Sequence, residues 1–80
     1  MRYPRMKIEI SGHTDDVGTA SYNQQLSLKR AEAVYFYMTE QGIEAERLAY
    51  QGYGQTQPAF PNDSDMNRSK NRRIEFKIIQ

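Results

Sequence analysis

Apolar and polar residues alternate in two stretches near the ends of the chain, at 6–10 and at 73–79. Because successive side chains of a strand point to opposite faces, this period of two predicts a half-buried β-strand in each place. A weaker stretch at 47–51 predicts a third strand, which Gly52 and Gly54 end. The apolar faces of the first and last strands would carry Met6, Ile8 and Ile10, and Ile74, Phe76 and Ile78.

Between the first two strands, apolar residues recur every three or four positions, which is typical of one face of a helix. We place the helix start near Tyr22, because Ser21 and Gln24 have the spacing of a capping box. Gly42 is expected to end the helix in a left-handed conformation. The residues predicted to face the core are Leu26 or Ser27, Ala31, Val34 and Met38.

From 55 to 67 the chain is rich in proline and short polar residues, which predicts a long loop. The segment 64–70 is expected to add a short helical turn. The order strand, helix, strand, long loop, strand predicts an α+β fold, with residues 1–80 forming one small domain.

Composition excludes several classes of function. The net charge of +1 gives no strong electrostatic case for a nucleic-acid partner. The absence of cysteine excludes a disulfide framework and thiolate chemistry. No apolar run approaches the length of a membrane span, so we expect no membrane insertion by this chain.

Asp15 and Arg30 stand on the two sides of the junction between the first loop and the helix. Helical side chains lean toward the N-terminus, so Arg30 is expected to reach back toward Asp15. A carboxylate facing a guanidinium complements the ammonium and carboxylate of a free amino acid. The alternative, which spacing alone favours, is an internal salt bridge. Thr14 and Asn23 flank the pair, and each could bond a ligand or the backbone.

His13 is the only histidine, and Asp15 and Asp16 stand close to it. This group admits a metal-dependent hydrolase with His13 as a base or a metal ligand. The set lacks the usual zinc ligands, however, and no serine is placed as its nucleophile. We therefore expect neither an enzyme nor a metal or cofactor, and interpret His13 as hydrogen-bonding within the loop.

Two separated motifs resemble those of the OmpA C-terminal-like domain. The first runs Gly12-His13-Thr14-Asp15 and continues with Gly18, Asn23, Leu26-Ser27 and Arg30-Ala31. The second is Arg68 followed by Asn71-Arg72-Arg73-Ile74-Glu75. The resemblance covers Met6 to Ile79, nearly the whole chain. Such domains bind peptidoglycan non-covalently, in outer-membrane proteins, peptidoglycan-associated lipoproteins and flagellar motor proteins.

The resemblance implies a site and a location. It implies that Asp15 and Arg30 bind the diaminopimelate of the peptidoglycan stem peptide, with Thr14 and Asn23 beside them. It also implies that Arg68 and Asn71 lie near the ligand site and are among the residues that bind the ligand, and that Arg72 anchors the loop against an acid. We read the neighbouring pattern Arg73, Glu75 and Lys77 as the solvated face of the last strand. The expected location is the periplasmic side of the bacterial outer membrane or cell envelope.

The family's domain has the order β-α-β-α-β-β, and this chain starts near its second strand. The family's first strand and first helix are therefore absent, together with an acidic residue from the loop between them. We expect the uncovered sheet to pair with a second copy through Met6, Ile8, Phe76 and Ile78. The remaining alternative is a structural dimerisation fragment that binds no ligand.

Overall fold

The computed structural model describes residues 6–79, which form strands and helices in alternation. The elements are β1 at Ile8–His13, α1 at Ala20–Glu40, β2 at Leu48–Gly52, α2 at Asp65–Asn71 and β3 at Arg73–Ile78. This confirms the predicted α+β fold, its element order and the short helix before the last strand. None of the helices within residues 6–79 is long and apolar enough to cross a membrane.

The central strand of the sheet is β1, since the strand order is β2-β1-β3. It runs parallel to β2 and antiparallel to β3. The strand extends three residues beyond the stretch 6–10 predicted for it, and Gly12 in this extension pairs with both Gly52 and Ile74. Glycine weakens a strand in general, but at this position a side chain would collide with the backbone of the helix that packs on the sheet.

The helix α1 begins earlier than its sequence signal suggested. Its N-cap is Thr19, whose hydroxyl accepts the Tyr22 backbone N–H at 3.1 Å. The predicted capping box of Ser21 and Gln24 does not form, because Ser21 already lies within the first turn. The side chain of Gln24 instead donates to the carbonyl oxygen of Gly52.

The predicted end of α1 is confirmed. Gly42 has a φ of 100°, and its N–H donates to Thr39 O at 3.1 Å. The N–H of Ile43 donates to Met38 O at 3.2 Å. These two bonds are the pair that defines a Schellman motif, in which a left-handed glycine satisfies the last carbonyls of a helix.

Two glycines allow α1 to lie unusually close to the sheet. A Cβ atom at Gly12 would stand 2.1 Å from the carbonyl oxygen of Ser27. One at Gly52 would stand 2.5 Å from the backbone nitrogen of Leu28. The Ser27 hydroxyl completes the contact, since it accepts the Gly54 N–H and donates to Gln24 O, each at 2.9 Å.

The apolar core is small and lies between α1 and the strands β1 and β2. Its fully or nearly fully buried members are Ile10, Ala31 and Leu48. Of the alternatives Leu26 and Ser27, it is Ser27 that is buried. Because α1 packs over β1 and β2, the apolar residues of β3 on the same face stay open. Phe76 is 57% exposed and Ile78 is 68% exposed.

The opposite face of the sheet is polar, but it is not the freely solvated surface that the sequence suggested. The Arg73 side chain is only 20% exposed, and its Nε lies 2.5 Å from Glu75. Lys77 lies over the ring of Tyr53, with Nζ 4.9 Å from its centroid. The Tyr53 hydroxyl in turn donates to Glu9 at 2.9 Å. Hydrogen bonds and ring contacts therefore join neighbouring strands across this face.

The helix–sheet contact predicts the effect of adding one methyl group. We expect Gly12→Ala to lower the free energy of unfolding by about 1–3 kcal/mol, because backbone rather than a flexible side chain opposes the new Cβ. For a domain of this size the melting temperature should fall by roughly 4–8 °C per kcal/mol. Calorimetry can measure this fall in melting temperature, with Gln51→Ala at an exposed position of β2 as the control. Equal melting temperatures for Gly12→Ala and the wild type would contradict this account.

Candidate functional site

The loop after β1 is fixed by its own side chains. The Thr14 hydroxyl donates to the carbonyl oxygen of Asp15 at 2.8 Å, and the Thr14 N–H donates to Gly54 O at 2.9 Å. The Val17 N–H donates to Asp15 Oδ1 at 3.1 Å. Thr14 and Asp15 are both buried. The loop therefore presents the Asp15 carboxylate in one orientation.

Asp15 is paired with Arg72. Its Oδ2 lies 2.6 Å from Arg72 Nη1, and its side chain is 9% exposed. Within residues 6–79 no ion pair joins Asp15 to Arg30, so the predicted contact between these two is not formed. The antiparallel pairing of β3 with β1 places Arg73 opposite His13, which brings Arg72 to the loop. The role that the resemblance implied for Arg72 agrees with this geometry.

The ion pair sets the charge state of Asp15. Burial alone would raise the pKa of this carboxyl group, but hydrogen bonds from Arg72 and from the Val17 N–H outweigh it. The positive charges of Arg72 and Arg68 act in the same direction, so the pKa of Asp15 lies below its ordinary value. The carboxylate is consequently charged at neutral and mildly acidic pH.

Asn23 ties the loop to the helix. Its side-chain amide nitrogen lies 3.0 Å from Val17 O, 3.3 Å from Asp15 O and 3.0 Å from Gln55 Oε1. The residue is 3% exposed. Of the two roles open from sequence, the geometry supports the one of bonding the backbone. Gln55 carried no signal in the sequence, because only the fold brings it to Asn23.

Asn71 holds the long loop that follows β2. Its side-chain oxygen accepts the N–H groups of Ala59 and Phe60, at 2.9 and 3.1 Å. Its nitrogen donates to Phe60 O and to Asn62 Oδ1, at 2.9 and 2.8 Å. The residue is completely buried. All four hydrogen-bonding positions of the amide are occupied, so the geometry does not support the expectation that Asn71 binds a ligand directly.

Arg68 bridges the site loop and α2. Its Nε lies 3.3 Å from Asp16, and its Nη1 lies 3.3 Å from Asp65. The arginine side chain is 31% exposed and Asp65 is fully exposed. Exposed ion pairs contribute little stability. The contact with Asp16, the residue next to Asp15, keeps Arg68 near the site loop. The guanidinium remains accessible to solvent.

Three arginines line an open cleft beside the ion pair. The cleft is formed by Arg30, Arg72, Arg73 and Ile74. Arg72 is neutralised by Asp15, and Arg73 by Glu75. Within the described part of the chain, Arg30 has no acidic partner within 4 Å and lies exposed. Sequence reasoning assigned Arg73 to a strand surface, and only the pairing of β3 with β1 shows that it borders the cleft.

His13 lies at the end of β1 rather than in the loop. It is 1% exposed, and neither ring nitrogen has a hydrogen-bond partner among residues 6–79. Its ring stacks on Tyr53 with centroids 5.5 Å apart. Burial and the nearby charge of Arg73 lower the pKa of His13. The expected hydrogen bond within the loop is therefore absent. In residues 6–79, no three His, Asp or Glu side chains come together as a metal site would require.

Residues 1–72 match the OmpA family. Outer membrane porin F of Pseudomonas aeruginosa is 41% identical to the chain, over 96% of this chain and 22% of that protein. The solved C-terminal domain of Helicobacter pylori MotB is 34% identical, with a TM-score of 0.90. The match covers 96% of this chain and 60% of the MotB chain.

The peptidoglycan-associated lipoprotein from Burkholderia pseudomallei is similar as well. It superposes with a TM-score of 0.90 at 30% identity, covering 96% of this chain and 65% of that one. The chain spans only 9% to 43% of the length of eight curated relatives that it matches. The family match covers most of the chain, and the fold agrees with it. The chain therefore belongs to the OmpA family.

Proposed function

We propose that the chain binds peptidoglycan non-covalently, through the diaminopimelate of the stem peptide, and thereby anchors a cell-envelope protein to the cell wall. The observation that carries this proposal is the arginine-lined cleft beside the buried Asp15 carboxylate. The solved lipoprotein relative, which is named as peptidoglycan-associated, supports it. The role is one of binding, without catalysis.

The carboxylate of the ligand is assigned to Arg30. Arg72 and Arg73 each have an acidic partner, which leaves the Arg30 guanidinium to supply the uncompensated positive charge of the cleft. A guanidinium can hold a carboxylate through two parallel hydrogen bonds.

The ammonium of the ligand is assigned to Asp15. Among the described residues, each of its oxygens accepts one hydrogen bond, one from Arg72 and one from the Val17 N–H. A carboxylate oxygen can accept more than one bond, so the small part of the Asp15 carboxylate that remains accessible can still receive an ammonium proton. Its lowered pKa keeps that part negative.

The other predicted site residues are assigned supporting roles. Thr14 and Asn23 fix the backbone that carries Asp15, and Asn71 fixes the loop before α2. Arg68 lies at the exposed rim through its contact with Asp16. Only Arg30, Asp15 and Arg68 are then left to contact the ligand.

The chain acts on the periplasmic side of the bacterial outer membrane or cell envelope. Its relatives include an outer-membrane porin and solved periplasmic domains of MotB. The chain spans a fraction of the curated relatives, so the anchored protein can be of porin, lipoprotein or motor type.

We predict that Arg30→Ala weakens binding to diaminopimelate-containing sacculi. Removing one partner of a hydrogen-bonded charge pair costs about 2 kcal/mol or more, which is a loss of roughly thirtyfold in affinity. A co-sedimentation assay over a range of sacculus concentrations measures it. Lys29→Ala is the matched control, because Lys29 is also an exposed cation of α1 but does not line the cleft. Wild-type affinity of Arg30→Ala would remove Arg30 from the site.

Sacculi with lysine in place of diaminopimelate test the identity of the ligand. Lysine lacks the second carboxylate of diaminopimelate. The wild type should therefore bind lysine-containing sacculi as weakly as Arg30→Ala binds sacculi that contain diaminopimelate. Equal wild-type affinity for both kinds would contradict the assignment to diaminopimelate while leaving peptidoglycan binding intact.

Asp15→Asn is predicted to change the pH dependence of stability. The folded pKa of Asp15 lies below the ordinary value of 3.8, so its stabilising contribution is complete above that pH. The contribution is lost as the pH falls through the folded pKa, because the unfolded chain takes up the proton first. Asp15→Asn should therefore be less stable at neutral pH and show a flatter loss of stability in acid.

Urea unfolding at a series of pH values measures this effect. Glu75→Gln is the control, since Arg73 lowers the pKa of Glu75 in the same way but outside the Asp15–Arg72 pair. In both variants the free energy of unfolding should fall less steeply below the pKa of the carboxyl groups than in the wild type. Only Asp15→Asn should also lose sacculus binding. If the free energy of unfolding of Asp15→Asn fell with acid as steeply as that of the wild type, the ion pair would contribute nothing to folding.

A further inference from the structure

His13 is a buried titratable group that the proposed function does not use. Its side chain is 1% exposed, and neither ring nitrogen has a hydrogen-bond partner among residues 6–79. A neutral imidazole carries one N–H donor and one acceptor, and a buried polar group without a partner is unfavourable. The fold therefore holds this ring where its polar atoms are not satisfied in the neutral state.

Titratable and charged side chains lie around the ring on the polar face of the sheet. The His13 Nε2 lies 3.9 Å from Glu75 Oε1. Arg73 stands directly opposite His13 in the register of β1 and β3. The ring stacks on Tyr53, which follows β2, with centroids 5.5 Å apart. One such group comes from β1, three come from β3 and one comes from the loop after β2, namely Glu9, Arg73, Glu75, Lys77 and Tyr53.

The Glu75 carboxylate stands between His13 and Arg73. Its Oε2 accepts a hydrogen bond from Arg73 Nε at 2.5 Å. Its Oε1 is just beyond hydrogen-bonding distance of the His13 ring. The Glu75 side chain is 38% exposed, so it can rotate without disturbing the apolar core. A small rotation brings Oε1 within reach of an N–H group at His13 Nε2.

Arg73 in turn holds the loop that follows β2. Its Nη2 donates to Gln57 O at 3.0 Å, and its Nη1 donates to Asn71 O at 3.2 Å. The bond to Gln57 is exposed to solvent, whereas the bond to Asn71 is partly buried. The Glu75 carboxylate fixes the guanidinium in this position. A movement of Glu75 therefore reaches the loop through Arg73.

We propose that His13 is an acid-sensitive switch for the loop after β2. When the ring takes up a proton from solvent, its Nε2–H donates to Glu75 Oε1 and the carboxylate turns toward it. Arg73 then shares its partner and faces a second positive charge, so its exposed bond to Gln57 weakens and the loop becomes more mobile. The proposal does not depend on the proposed function, because it concerns the chain without ligand.

The surroundings of the ring determine the sign of the pH dependence. Burial and the charges of Arg73 and Lys77 lower the pKa of His13, and the charges of Glu75 and Glu9 offset this only in part. The folded chain therefore takes up the proton at a lower pH than the unfolded chain, whose histidine has the ordinary value of 6.5. The free energy of unfolding is then highest above that pH, and it falls as the pH drops through 6.5 toward the folded pKa.

NMR spectroscopy of the chain without ligand tests the coupling. His13 is the only histidine, so its Cε1 proton can be followed without ambiguity if no histidine tag is present. As the pH is lowered from neutral to mildly acidic, the Arg73 Nε–H and the Gln57 carbonyl carbon should shift with the same midpoint as the ring. In His13→Gln, whose side chain stays neutral, both signals should lose this transition. A titration of the ring that leaves the Arg73 and Gln57 signals unchanged would overturn the proposal.

Two further substitutions should move the midpoint of the ring titration in opposite directions. Glu75→Gln removes the carboxylate that stabilises the charged ring, so the midpoint should fall to lower pH. Arg73→Gln removes a repelling charge, so the midpoint should rise. Glu40→Gln is the control and should leave it unchanged, because Glu40 is an exposed carboxylate at the end of α1. A wild-type midpoint in Glu75→Gln would rule out the ion pair between His13 and Glu75.

Urea unfolding supplies an independent readout. The free energy of unfolding of the wild type should fall between neutral pH and mild acid, before the carboxyl groups titrate. That of His13→Gln should stay level over the same range. An equal fall in both chains would contradict the proposal. If His13→Gln does not fold, the Arg73 and Gln57 signals of the wild type and of Glu75→Gln still decide between the two outcomes.

Discussion

The close approach of α1 to the sheet is the constraint on which the rest of the structure depends. Gly12 and Gly52 leave room for the backbone of Ser27 and Leu28, and no larger residue fits there without displacing backbone. The first turns of the helix are thereby fixed over the ends of β1 and β2. Asn23 and Gln24 can then reach the loop and the strand end, where they complete hydrogen bonds that water would otherwise satisfy.

The candidate site is assembled from segments that are far apart in the chain. Asp15 and Arg72 are 57 positions apart, and Asn23 and Gln55 are 32 apart. The β1–β3 pairing brings the first two together, and the helix–sheet contact brings the second two together. The charge of Asp15 and the opening beside Arg30 are therefore properties of the whole fold, although the residues themselves stand in short motifs.

Local patterns predicted most of the fold. Alternation at 73–79 and the glycine at position 42 each depend on nearest neighbours in the chain, and both predictions agree with the structure. The partner of Asp15 could not be found in this way, because the argument for Arg30 considered only the loop and the helix that follows it. Arg72 reaches the loop through a strand pairing that no local pattern encodes. The extension of β1 through Gly12 was missed for a related reason, since this glycine leaves space for a helix that no local pattern places there.

The sheet has an order of assembly built into its topology. Its central strand, Ile8–His13, stands near the start of the chain, while one of its two neighbours, Arg73–Ile78, stands at the end. The first strand, the long helix and β2 can come together as soon as residue 52 has been made. The other edge of the central strand has no partner among residues 6–79 until the segment up to residue 78 has been made. The pairing of β1 with β3 closes a larger loop than the pairing of β1 with β2, so it carries the greater entropic cost of the two.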